Sequence, residues 1–168
     1  MNQLIFRQAA PDDAKRCHEI ELAGYSGDEA ATLEKIQTRI HIYPEGFLVA
    51  ENDQGIVGFI NAGACHEVEL SDENFKELIG HDPQGEHIVI MSVVVHPDFQ
   101  SKGFAGLLMR RFIEDMRAMG KKDIYLICQT ELIGFYEKYD FAYLRASDSD
   151  HGGLAWHDMR LSLNSNLP

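Results

Sequence analysis

The chain has 168 residues, 45% of them hydrophobic, enough to bury a proper core and matched in size to one domain over residues 1–168. Its 27 acidic side chains outnumber 15 basic ones, giving a formal net charge of −12. Such a surface repels phosphate backbones and anionic lipid and attracts cationic small molecules, so neither nucleic acid nor a membrane is an expected partner. The opening MNQLIFRQAAPDD lacks the basic start, apolar stretch and small-residue cleavage site of a signal peptide, and no apolar run reaches membrane-spanning length. Cys17, Cys65 and Cys128 are odd in number and widely separated, which argues against a disulfide framework and fits a reducing, cytoplasmic setting.

In chain order, QLIFR at 3–7 reads as a short strand and Ala10-Pro11-Asp12-Asp13 as a helix entrance, with acidic residues in the first turn of a helix to about Ala23. After Gly24-Tyr25-Ser26-Gly27 a second helix is predicted from Asp28 to about Ile40. FLVAEN and GIVGFINAGAC, joined at Asp53-Gln54-Gly55, predict an antiparallel hairpin. Residues 66–86 are strongly acidic and predict an exposed excursion with a short helix around 74–79. There follow a strand at about 87–95, a long helix at 103–119, a strand DIYLIC, a short helix at 131–138 and closing strands in FAYLRA and LAWHDMRLSL. Strands that first pair by a hairpin and later alternate with helices predict a mixed α/β sheet.

The junction VIMSVVVHPDFQSKGFAGLLMRRF, residues 89–112, carries the chemical signal. IVIMSVVV is apolar without alternation, as in a strand covered on both faces, and Pro97 ends it. The following helix has apolar residues at 104, 107, 108, 112, 116 and 119, which line one face. Between strand and helix, Gln100, Ser101, Lys102, Gly103, Phe104, Ala105 and Gly106 bring small residues to a helix start. Backbone N–H groups are unpaired there and the helix dipole is positive, so a phosphate or pyrophosphate is the natural occupant. Lys102 precedes Gly103 and Phe104 follows it, which is wrong for a nucleoside-triphosphate loop, and the dinucleotide pattern G-x-G-x-x-G is absent.

What is present is Q-x-x-G-x-A at Gln100, Gly103 and Ala105, after a strand ending in V-x-H-P. This resembles the coenzyme A pyrophosphate loop of the GCN5-related N-acetyltransferase family. Downstream, LICQTELIGFYEKYDFAYL resembles that family's second signature, commonly F-Y-x-x-x-G-F, with Asp140 in place of the usual glycine. The resemblance runs from Ile5 to Leu163 and is nearest to the arylalkylamine N-acetyltransferase branch, in EGFLVAENDQGIVGFINAG, LSDENFKELIGHDPQGEHIVIMSVVVHPDFQSKGFAGLL and CQTELIGFYEKYDF. It implies a mixed, mostly antiparallel central sheet with a splayed parallel strand pair, flanking helices and acetyl-CoA as cofactor.

Acetyl transfer to an amine requires a neutral nitrogen, a polarised thioester carbonyl and a proton for the departing thiolate. The resemblance implies that Met91 to Val95 hold the pantetheine arm, with Ser92 and Val93 nearest the splay and Val94 and Val95 beyond them. It implies that Tyr136 is the general acid, a phenol of ordinary pKa about 10 being matched to a thiolate; an amphipathic packing role is the alternative reading. The branch's paired histidines fall at Val89 and Met91 here, so the base is open between His87, which shares that strand face, Glu86 acting through water, and water alone.

His81, His87, His96, His151 and His157 form no ligand spacing with cysteines or carboxylates, and HEVEL at 66–70 lacks the second histidine of a zinc helix, so no metal is expected. Cys128 reads as a buried apolar thiol. The acceptor pocket is expected to draw on Tyr25 to Ala30, Phe59, Met91 and the segment from His151 to Trp156. The expected activity is acetyl transfer by direct attack to a small arylalkylamine or polyamine, in a monomer or homodimer. A peptide or protein amine, or a non-catalytic acetyl-CoA-binding module, are the competing readings.

Overall fold

The computed structural model describes residues 3–25, 30–149 and 153–163. Seven strands form one mixed sheet in the order β1-β2-β3-β4-β5-β7-β6. They are β1 (Ile5–Gln8), β2 (Phe47–Asn52), β3 (Gly55–Cys65), β4 (His87–Val95), β5 (Asp123–Cys128), β6 (Ala142–Ala146) and β7 (His157–Ser162). Helices are α1 (Ala14–Gly24), α2 (Leu33–Ile42), α3 (Phe104–Ala118) and α4 (Ile133–Glu137). The chain divides into two compact units, Met1–Ala62 with Met91–Phe112 and Gly63–Ile90 with Ile113–Pro168.

In the first unit, β1 and β2 run antiparallel with Phe6 opposite Ala50, and β2 turns into β3 at Asp53-Gln54. The Asn52 side chain accepts from Gln54 N–H at 2.8 Å and Gly55 takes φ +110°, so the turn uses the residue types that tolerate it. Asp13 closes the entrance to α1 by accepting from Ala10 N–H at 2.7 Å. The second helix starts later than its sequence predicts: Thr32 caps α2, its hydroxyl accepting from Lys35 N–H at 3.2 Å. The part of the predicted start at residues 28–29 lies outside the described residues. Cys17 and Ile20 of α1, Ile36 and Ile40 of α2, and Phe47, Val49, Phe59 and Val94 of the strands make the core.

In the second unit, β4 and β5 are parallel over His87–Val89 against Asp123–Tyr125. β5 pairs antiparallel with β7 along six residues, and β6 closes that edge. The acidic segment 66–86 is not simply exposed. Phe75 and Leu78 are buried against Gly63, where an added Cβ would lie 2.7 Å from the Phe75 ring. Lys121 Nζ donates to the carbonyls of Pro83 and Gly85 at 2.7 Å each and pins the segment's far end. Among the described residues no helix is long and apolar enough to cross a membrane.

Candidate active site

The strand-to-helix junction lies in the first unit. His96 N–H bonds Val57 O at 2.8 Å, and a 3-10 turn at Pro97–Phe99 begins with His96 Nδ1 accepting from Asp98 N–H at 3.1 Å. Gln100 folds back, its Nε2 donating to Val95 O at 3.1 Å, so this side chain braces the loop instead of extending from it. Ser101 and Gly103 both take left-handed backbone, φ 65° and 81°, on either side of Lys102. Gly103 O accepts from Leu107 N–H at 3.2 Å, which makes Gly103 the residue that opens α3. The N–H groups of 104–106 have no intrahelical acceptor. Nothing lies within 4 Å of a Cβ built on Gly103, so the loop is open at that point and its donor set fits a pyrophosphate.

Just upstream, Ser92, Val94 and Val95 are buried while Met91 and Val93 are partly exposed. The whole of β4 alternates in this way up to Val94, which corrects the expectation of a strand covered equally on both faces. Tyr25 reaches this strand: its hydroxyl donates to Val93 O at 3.0 Å and accepts from Val93 N–H at 3.4 Å. Gly24 lets α1 approach, since a Cβ there would fall 2.3 Å from Val94 Cγ2. Phe59, expected to line the acceptor pocket, is fully buried and stacked on Phe47 with centroids 5.2 Å apart. Its neighbours on β3 are equally buried, so the structure gives it to the core. Residues 26–29, 151 and 152 of the expected pocket lie outside the described residues.

The second unit carries Tyr136 and His87. Tyr136 is buried in α4, edge-on to Phe135 at 5.1 Å and to Phe141 at 5.7 Å. Its carbonyl accepts from Tyr139 and Phe141 N–H, closing a turn in which Asp140 takes φ 72°. That explains the glycine usual at this position, and aspartate is among the residues that tolerate it.

His87 is not a frayed strand end. Its side chain is 15% exposed, with Nδ1 2.6 Å from Asp123 Oδ1 and Nε2 3.7 Å from Glu86 Oε1. A carboxylate only accepts, so Nδ1 carries the proton and Nε2 is the basic nitrogen. Asp123 is itself fully buried, and its Oδ2 receives Arg160 Nε at 3.0 Å and Nη2 at 2.9 Å. Burial lowers the Arg160 pKa, but the hydrogen bonds and negative charge of Asp123 and Tyr125 together raise it above its ordinary value. Asp123 and Arg160 escaped sequence reasoning because they lie 36 and 73 positions from His87, and the strand register alone brings them together.

Cys17, Cys65 and Cys128 are free and buried. Burial pushes the Cys128 thiol up to about 11, so it lacks the thiolate a nucleophile needs. Among the described residues no cluster of His, Cys, Asp or Glu could hold a metal ion.

Residues 12–141 match the model of the Acetyltransferase (GNAT) family. Serotonin N-acetyltransferase of Mesocricetus auratus is 26% identical over 162 residues, covering 94% of this chain and 77% of that protein. The loading GNATL domain of CurA from Lyngbya majuscula superposes with a TM-score of 0.86 at 14% identity, over 98% of this chain and 100% of that one. YncA of Salmonella typhimurium, solved with its cofactor acetyl-CoA, gives a TM-score of 0.69 at 19% identity, over 99% of this chain and 97% of that one. The chain belongs to the GNAT acetyltransferase family, with the mixed sheet and parallel β4–β5 pair of that fold. It is an acetyl-CoA-dependent acyltransferase.

Proposed function

We propose that the protein transfers the acetyl group of acetyl-CoA to a primary amine of a small molecule, an arylalkylamine or a polyamine, by direct attack. The observation that carries this reading is the opening of α3, where left-handed Ser101 and Gly103 leave a run of free N–H donors directly after β4. Acetyl-CoA supplies an activated thioester. Gln100 to Gly106 hold its pyrophosphate, Gln100 by bracing the loop against Val95. Backbone groups of Met91 to Val95 orient the pantetheine arm, and the Tyr136 hydroxyl gives a proton to the leaving thiolate.

His87 is the side chain proposed to receive the amine proton, with Asp123 fixing its tautomer and Glu86 beside Nε2. The proton reaches His87 through water. Tyr25 and Met91 border the acceptor. The chain-long similarity to a serotonin acetyltransferase and the net charge of −12 both favour a cationic small-molecule acceptor over an anionic one. We place the enzyme in the cytoplasm as a single-domain monomer or homodimer, three free thiols being suited to a reducing compartment.

A thiol-release assay with acetyl-CoA against a panel of arylalkylamines, polyamines and peptides tests the proposal. Turnover with small amines above that with peptides is the expected result. Turnover with peptides alone would transfer the activity to protein substrates, and tight acetyl-CoA binding without turnover on any amine would make the chain a binding module.

A further inference from the structure

The register of the second unit fixes which side chains share a sheet face. Val89 pairs with Tyr125, Tyr125 with Arg160, and Ile127 with Asp158. His87, Asp123, Tyr125, Asp158 and Arg160 therefore stand on one side, the side of β4 that bears the branch's paired-histidine position Val89. Two buried carboxylates occupy this face in different states. Asp123 is saturated by His87 and Arg160. Asp158 is 1% exposed, and its Oδ2 accepts from Arg145 Nε at 3.2 Å. Its Oδ1 is buried with no hydrogen-bond partner among the described residues. A desolvated carboxylate oxygen without a donor is costly, and a water or a bound ligand can supply that donor.

We propose that Asp158 Oδ1 anchors a substrate ammonium other than the nitrogen that is acetylated, so that the acceptor is a diamine or polyamine. The inference rests on the acetyltransferase reading and narrows its substrate class. A carboxylate stabilises the protonated form of the amine it binds, and a protonated amine has no lone pair with which to attack. Asp158 therefore suits a second, non-reacting nitrogen and leaves the first free to lose its proton. Asp158 itself makes and breaks no covalent bond. Arg145 fixes the carboxylate through Oδ2 while keeping its own side chain 67% exposed, so its charge is largely screened by water. Ile127, the register partner of Asp158, offers the connecting carbon chain an apolar neighbour.

The test compares initial rates on 1,5-diaminopentane and pentylamine at saturating acetyl-CoA, in the parent and in Asp158→Asn. The parent is expected to favour the diamine by about tenfold or more in kcat/KM, mainly through KM, as for a charge-assisted hydrogen bond out of water. Asp158→Asn should reduce that ratio to about threefold or less, with acetyl-CoA affinity retained. Its thermal stability should hold or rise, because the substitution removes a buried charge whose partner among the described residues, Arg145, is largely exposed. A preference that persists in the variant, or that the parent lacks, overturns the proposal. If the parent acetylates neither amine, the failure lies with the choice of acceptor or with the acetyltransferase reading. Calorimetric titration of the CoA-loaded proteins with the same two amines then decides the anchor by itself. Tighter diamine binding lost in the variant supports it, and equal binding of the two amines overturns it.

Discussion

The Tyr25 hydroxyl bridges both backbone groups of Val93, donating to the carbonyl at 3.0 Å and accepting from the N–H at 3.4 Å. Val93 is one of the residues proposed to pair with the pantetheine arm, so the hydroxyl and the cofactor compete for the same two groups. The Tyr25 ring packs on the core of the first unit, which a phenylalanine would preserve. A net hydrogen bond contributes about 0.5–1.5 kcal/mol. Tyr25→Phe should therefore tighten acetyl-CoA binding by about three- to tenfold, read by calorimetric titration. Weaker or unchanged binding would show that the hydroxyl does not stand in the cofactor's place.

Tyr136 should separate binding from chemistry. Its ring is held by Phe135 and Phe141, contacts that Tyr136→Phe leaves intact. The variant is expected to keep the parent's acetyl-CoA affinity and to lose about tenfold or more in turnover. Turnover equal to the parent's across the pH range would remove Tyr136 from the role of acid.

Much of this architecture is legible in the sequence, and the parts that are not share a cause. The β2–β3 hairpin announces itself through Asp53-Gln54-Gly55, and α3 through apolar residues at helical spacing. β4 misleads because Val89, Met91 and Val93 are apolar yet only partly buried, so composition hides an alternation that burial reveals. The start of α2 is misjudged because Asp28, Glu29 and two alanines resemble a first turn, whereas the capping hydroxyl comes at Thr32. His87 can be picked out by strand parity, but Asp123, Asp158 and Arg160 cannot. Their association depends on the order β4-β5-β7, and no local pattern encodes which strands become neighbours.

Two glycines of the second unit should respond to alanine in opposite directions. A Cβ on Gly85 would lie 2.4–2.6 Å from the Cys65 backbone, which cannot yield as a side-chain tip can. Gly85→Ala should cost about 2–3 kcal/mol, as overpacking does. Gly134 lies within α4 and has nothing within 4 Å of its Cβ direction. Gly134→Ala should gain about 0.5–1 kcal/mol from helix propensity and a less flexible unfolded chain. Urea unfolding of both variants against the parent reads the two signs, and a stabilised Gly85→Ala would contradict the packing of segment 66–86 against β3.

The Arg7–Asp13 pair gives the acid limb of stability a definite sign. Arg7 bonds both oxygens of Asp13, at 2.7 and 3.0 Å, and the Asp13 carboxylate also receives Ala10 N–H at the entrance to α1. The bond from Arg7 outweighs desolvation and, with the Ala10 N–H, holds the Asp13 pKa below its ordinary 3.8. The unfolded chain thus takes up this proton at a higher pH than the folded one. Stability from the pair is fully present above about pH 4 and is lost as pH falls toward the depressed folded value. Asp13→Asn should be less stable than the parent by about 1 kcal/mol at pH 7, from the lost ion pair with Arg7. The difference should narrow as urea midpoints are followed from pH 5 down to about pH 2. A gap that stays constant over that range would mean that Asp13 titrates alike in the folded and unfolded chains.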